Sequence, residues 1–103
     1  MKTEVEQLIQ DIEEEGYVIR RDGVVLGKDG FRKPPFDAHD PYSVEIDLKG
    51  KVYFMPIDLL VMFKYNPPVD GKTTMRVVKH RNSLKSDSSV DNIYWVGEEN
   101  VLS

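Results

Sequence analysis

A small single-domain α+β fold is what this sequence predicts, and three observations carry that reading. The first residues repeat their apolar positions with helical spacing, two later segments fold back across Gly-containing turns, and a short apolar run opened by Pro56 precedes the tail. At 103 residues, with 40% hydrophobic and 31% charged residues, the chain suits one modest core and an ordinary globular composition. It contains no cysteine, which excludes disulfides and thiolate metal sites. No apolar run approaches the roughly 20 residues that cross a bilayer. The acidic N-terminus lacks the basic and apolar regions of a signal peptide. A cytoplasmic protein with no membrane partner is expected, with residues 1–103 forming one domain.

The opening helix, within residues 1–15, has both ends marked. Thr3 followed by Glu6 fits a capping box, Val5, Leu8, Ile9 and Ile12 form one apolar stripe, and Gly16 supplies the stop. Glu13, Glu14 and Glu15 crowd the negative pole of the helix dipole, a small local cost that points to solubility or a partner.

Residues 16–63 hold two hairpins and a helix. Tyr17 to Arg20 and Val24 to Leu26 flank Arg21-Asp22-Gly23, where Asp-Gly favours the positive φ of a tight turn. Residues 28–41, broken by Gly30, Pro34, Pro35 and Pro41, read as a loop. In the second hairpin Val44, Ile46 and Leu48 alternate with Ser43, Glu45 and Asp47, Lys49-Gly50 turns, and Lys51 to Met55 return, so one face is expected dry and one wet. Pro56 suits the first turn of a helix. Ile57 to Phe63 is apolar nearly all round, which predicts a short buried helix ended by Asn66-Pro67-Pro68. Within residues 74–103, strands are expected up to Val78 (beginning at Thr73) and over Ile93 to Val96, joined by a polar loop. Leu59, Leu60, Phe63, Val44, Ile46 and Trp95 are expected to share one core.

The formal net charge of −4 hides an asymmetry. Glu4, Glu6, Asp11, Glu13, Glu14 and Glu15 stand against Lys2 in residues 1–15, a local −5. Lys64, Lys72, Arg76, Lys79, Arg81 and Lys85 stand against Asp70 in residues 64–85, a local +5. The basic segment reads either as a solvated charged face or as a phosphate-contacting surface. His39 near Asp37 and Asp40 has a metal-binding spacing, but nothing regular holds those side chains and a solvated loop is the simpler reading.

Taken in order, these pieces resemble the HNH endonucleases carried by phages and mobile introns. The carrying residues are Gly16-Tyr17, Gly23-Val24-Val25, the strand pair from Tyr42 to Met55, Leu59 to Phe63 with Asn66-Pro67, Lys79-His80, and Val90-Asp91-Asn92-Ile93-Tyr94-Trp95-Val96-Gly97. The resemblance spans roughly residues 16–100 and implies a ββα-metal tail, a DNA partner and a metal-dependent nuclease ancestry. It makes His80 the general base that deprotonates water and Asn92 the residue that holds its loop. A divalent cation, Mg²⁺ or Mn²⁺, would stabilise charge on the phosphate.

Several residues depart from that pattern. Just before the histidine the family commonly has an oxygen ligand, and here Lys79 brings positive charge instead. The Asn that completes the family's metal site lies one residue farther past the Trp than Asn100 does, and one residue turns a helix by about 100°. Only Glu98 to Ser103 remain for that helix, while Glu98 or Glu99 offers a carboxylate that would repair the site. The expectation is therefore a degenerate HNH-like protein of phage type that binds double-stranded DNA, has no resident cofactor and does not cleave. On this reading His80 keeps no chemical role. Lys72, Arg76, Lys79, Arg81 and Lys85 are the expected DNA contacts, with Arg20, Arg21, Lys49 and Lys51 as further cations. The Val44 to Met55 hairpin is a candidate base reader, although Glu45 and Asp47 on its wet face repel phosphate. Two alternatives remain: an active nicking endonuclease using His80, Asn92 and Asn100 with Mg²⁺ or Mn²⁺, and a phage regulator that binds a host protein through the retained fold, which the acidic helix and the weak overall cation balance favour.

Overall fold

The computed structural model describes residues 2–34, 42–74, 76–84 and 86–96. Among these the order is α1 (Glu4–Glu14), β1 (Val18–Ile19), β2 (Val25–Leu26), β3 (Ser43–Leu48), β4 (Lys51–Pro56), α2 (Ile57–Tyr65), β5 (Val78–His80) and β6 (Ile93–Trp95). The six strands form three separate antiparallel pairs, β1–β2, β3–β4 and β5–β6. Helix α2 packs against α1, β1, β4 and β6 and so stands at the centre of an α+β fold. No helix among the described residues is long and apolar enough to cross a membrane.

Helix α1 starts on the capping box that its sequence announces. Glu6 N–H donates to Thr3 Oγ1 at 3.1 Å, and Thr3 N–H donates to Glu6 Oε1 at 3.2 Å. The Thr3 backbone N–H, first, and the Thr3 hydroxyl beside it hold the Glu6 carboxyl below its usual pKa. Val5, Ile9 and Ile12 are buried and Leu8 is half-buried, so the helical stripe is the packing face. The acids at the C-terminal end, costly for the helix alone, have tertiary partners. Glu13 pairs with Lys64 on α2. Glu15 pairs with Lys28 at 3.2 Å and accepts from Lys49 N–H at 2.9 Å, which ties the helix end to both hairpins. The Glu15 bond raises the pKa of Lys28.

The first hairpin closes through a three-residue loop. Gly23 N–H donates to Arg20 O at 3.1 Å, Arg20 N–H donates to Val24 O at 2.9 Å, and only Gly23 takes positive φ, at 88°. This is a turn followed by a glycine bulge, with Asp22 Oδ1 accepting from Val24 N–H at 3.1 Å. Lys49 and Gly50 both have positive φ, 55° and 86°, the two-residue turn whose twist matches a β-ribbon. Across it Val44 and Ile46 are fully buried as expected. Strand β4 departs from strict alternation, because Val52, Tyr53 and Phe54 are all exposed. Only Met55 and Pro56, at the end that leads into α2, are half-buried.

Pro56 is the last residue of β4 and the N-cap of α2, one position before the first turn predicted for it. The helix buries Leu60, Val61, Met62 and Phe63, while Leu59 is half-buried. Phe63 meets Trp95 with ring centroids 5.8 Å apart, and Trp95 Nε1–H donates to Asn66 O at 2.8 Å. The strand expected from Thr73 is confined to Val78–His80, because its partner β6 is only three residues long. Residues 73 and 74 are not strand; Thr73 is held instead by Glu4, whose Oε1 accepts from its N–H at 3.1 Å.

Truncating Phe63 to Ala should remove the aromatic packing against Trp95 and open a cavity beside α2. Urea denaturation is expected to show a loss of about 3–5 kcal/mol, with Trp95 fluorescence reporting the same single transition.

Candidate functional site

The site is built on the closed end of the β5–β6 ribbon. The register sets His80 opposite Ile93, Lys79 opposite Tyr94 and Val78 opposite Trp95. Residues 81–92 between the strands form a polar loop that must supply its own hydrogen bonds. Asn92, 9% exposed, does most of this. Its Oδ1 accepts from Asn82 N–H at 3.1 Å, which identifies the other side-chain atom as nitrogen. That Nδ2 donates to Asn82 Oδ1 at 2.9 Å and to Asp87 O at 2.8 Å. Asn92 thus spans both halves of the loop.

Asp87 is the second organising residue. Its carboxylate accepts from Ser89 Oγ–H at 2.7 Å, Ser89 N–H at 3.3 Å and Asn82 Nδ2 at 3.0 Å. The Ser89 bonds, chiefly, hold its pKa below the ordinary carboxylate value, with the Asn82 bond and the nearby His80 adding to the effect. Its carbonyl oxygen faces His80 Nδ1 at 2.9 Å as well as Asn92 Nδ2. A carbonyl only accepts, so Nδ1 of His80 carries hydrogen. The loop also leans on the first hairpin: Val90 N–H donates to Arg21 O at 2.9 Å, and Gly23 lies so close to Ser88 that a Cβ there would sit 2.8 Å from its carbonyl carbon.

The remaining ring nitrogen of His80 is engaged by a residue that sequence reasoning missed. Nε2 lies 3.0 Å from Asp58 Oδ2, and the histidine side chain is only 7% exposed. With Nδ1 already a donor, this contact is attractive only when a hydrogen also lies between Nε2 and the carboxylate. Asp58 occupies the first turn of α2, where the helix dipole favours negative charge. The only hint in the sequence is a single acid at the start of an otherwise apolar helix.

The cations predicted to contact DNA fall into two groups. Arg76 pairs with Asp70 and lies over the Trp95 ring, centroid distance 5.9 Å, while Lys64 is taken by Glu13. The Arg76 bond, first, and the Lys72 N–H hold the Asp70 carboxyl below its ordinary pKa. Lys72, Lys79 and Arg81 are exposed, with Arg81 stacked 5.0 Å over the Tyr94 ring. Lys79 and Tyr94 are cross-strand partners, so Lys79, Arg81 and Tyr94 form one cationic and aromatic ridge. Lys85, Asn100, Glu98, Glu99 and the trio Asp37, His39 and Asp40 lie outside the described residues. Among the described residues, no three His, Cys, Asp or Glu side chains converge as metal ligands. With Lys79 beside His80 and Asp58 held by its ring, the described residues do not fit a hydrated Mg²⁺ or Mn²⁺.

Replacing Asn92 with Ala removes three bonds from a buried loop and should cost about 1–3 kcal/mol, with hydrogen exchange speeding up over residues 81–92 first. Asp87 sets an acid limit for the same loop. Its native pKa lies below the ordinary value of about 3.9, so its contribution is complete above that value and declines as pH falls through the native one. Protection of the Ser89 amide against exchange, relative to an unfolded chain at the same pH, should fall as Asp87 takes up its proton, and Asp87→Asn should abolish that pH dependence.

No family model matches the sequence, and no curated protein matches it. Among solved structures, this fold is similar to the HNH homing endonuclease I-HmuI, solved for its DNA binding and cleavage, with a TM-score of 0.64 and 20% identity. The likeness covers 89% of this chain and 53% of that one, so this chain spans about half the length of the endonuclease. The fold is HNH-like.

Proposed function

We propose that this chain is a DNA-binding protein of phage type that retains an HNH nuclease framework and does not hydrolyse DNA. It would act in the cytoplasm of a bacterial host. The observation that carries the reading is the double engagement of His80. A general base needs a free ring nitrogen within reach of water. Here Nδ1 bonds to Asp87 O, Nε2 bonds to Asp58, and the ring is almost fully covered. The histidine is thereby a strut between α2 and the loop. Lys79 supports the same conclusion, since an ammonium group repels a cation and attracts a phosphate.

DNA binding is supported by the HNH-like fold together with the exposed ridge of Lys79, Arg81 and Tyr94. Lysine and arginine side chains contact phosphates and set affinity without reading sequence. Arg21, exposed on the hairpin that buttresses the loop, extends the positive surface.

Supercoiled plasmid incubated with Mg²⁺ or Mn²⁺ should remain intact. Nicking that disappears in the His80→Ala protein would establish the active-nuclease alternative instead. Duplex DNA should bind at low salt, and Lys79→Gln with Arg81→Gln should weaken binding on every sequence. The slope of log affinity against log salt should fall by roughly 0.9 for each phosphate that the variant no longer neutralises. Absence of binding at low salt would exclude DNA as the partner.

A further inference from the structure

An open cavity of about 790 Å³ lies between α1, the end of β4 and the first turns of α2, and it shares no residue with the His80 loop or the cationic ridge. Leu8, Leu59, Leu60 and Phe63 contribute apolar lining, and the run from Tyr53 to Pro56 forms a wall. Successive residues of a strand point to opposite faces. Tyr53 and Phe54 therefore both line the cavity only because it runs along the margin of β4. Phe54 is 58% exposed, an uncommon position for a large aromatic in a wall that also has half-buried Leu8 and Leu59 beside it.

The rim has a definite sign. Glu4, Gln7, Leu8 and Asp11 all line the cavity and fall at i, i+3, i+4 and i+7 of α1, so one helix face presents two carboxylates along the apolar floor. Lys2 is the one cation among the lining residues. Glu45, exposed and directly across the ribbon from Phe54, adds a third carboxylate at the aromatic edge. Of the six acids in the first fifteen residues, Glu6, Glu13 and Glu14 border a separate cavity, while Glu4 and Asp11 line this groove. Such a surface repels a phosphate backbone and complements apolar side chains flanked by cations.

We propose that this groove docks a cationic amphipathic peptide segment of a partner protein. Its apolar anchors would seat on Leu8, Leu59 and Phe54, and its lysine or arginine residues would face Glu4, Asp11 and Glu45. Apolar anchors in a groove supply affinity, and the charged rim selects the partner and its orientation. The chain then carries two binding surfaces of opposite sign, one for DNA and one for a basic protein segment.

The test uses the whole chain and a synthetic helical peptide of leucine and lysine, with leucines at i, i+3, i+4 and i+7. Two control peptides replace every lysine with glutamate or every leucine with serine. Calorimetry should give saturable one-site binding of the first peptide, with both controls at least about tenfold weaker. Phe54→Ala should weaken binding about tenfold, with a thermal scan confirming that the variant still unfolds in one cooperative transition. Asp11→Asn keeps an acceptor for Gln7 and should weaken binding severalfold with a shallower salt dependence. Neither variant should change affinity for duplex DNA, which keeps this outcome separate from that of the DNA reading. No binding, equal binding of the glutamate peptide, or affinity indifferent to both variants would overturn the proposal. Self-association detected by sedimentation and abolished by Phe54→Ala would also overturn it, by assigning the groove to a second copy of the chain.

Discussion

The burial of α2 is the constraint on which the rest of the structure depends. A nine-residue helix is too short to hold by itself, and this one has apolar side chains on nearly every side. It becomes stable only when several elements cover it at once. Helix α1, β1, β4 and β6 do so, although the three strand pairs share no sheet with one another. None of those ribbons would be independently stable. The helix is what makes them one structure, and the tail ribbon joins it through Trp95 against Phe63 and through His80 at Asp58.

The two ends of α2 carry the polar consequences of that arrangement. At the first turn Asp58 meets His80, and near the last turn Lys64 meets Glu13, each charge lying at the pole the dipole favours. Both contacts join α2 to another element rather than stabilising the helix alone. The Asp58 contact also has a chemical consequence. The same helix that covers the core supplies a carboxylate to Nε2 of His80, so the packing of α2 and the setting of that ring share one cause.

The charges divide the molecule. Acids at the C-terminal end of α1 are absorbed by Lys28, Lys64 and the Lys49 backbone, and two of the basic-segment cations are absorbed by Glu13 and Asp70. Lys72, Lys79 and Arg81 of the basic segment remain exposed, while Glu4 and Asp11 of the acidic helix line the groove beside α1.

Local rules determined much of this protein by sequence alone. The capping box at Thr3, the stripe Val5-Ile9-Ile12, the Lys49-Gly50 turn and the nearly all-apolar helix each depend on residues close in the chain or on one periodicity, and each was readable there. The ordered resemblance of short motifs reached the HNH-like fold for the same reason: their spacing records the fold even when no single motif is specific. What only the tertiary structure decided involves partners far apart in sequence. Asp58 and His80 are separated by twenty-two residues, Glu13 and Lys64 by fifty-one, and Glu4 and Thr73 by sixty-nine. No periodicity or local propensity encodes such pairs. Likewise the exposure of Val52, Tyr53 and Phe54 in succession departs from the alternation expected of the strand. A side chain's type and neighbours set what it can do, but the packing of α2 determined which oxygen reached the histidine.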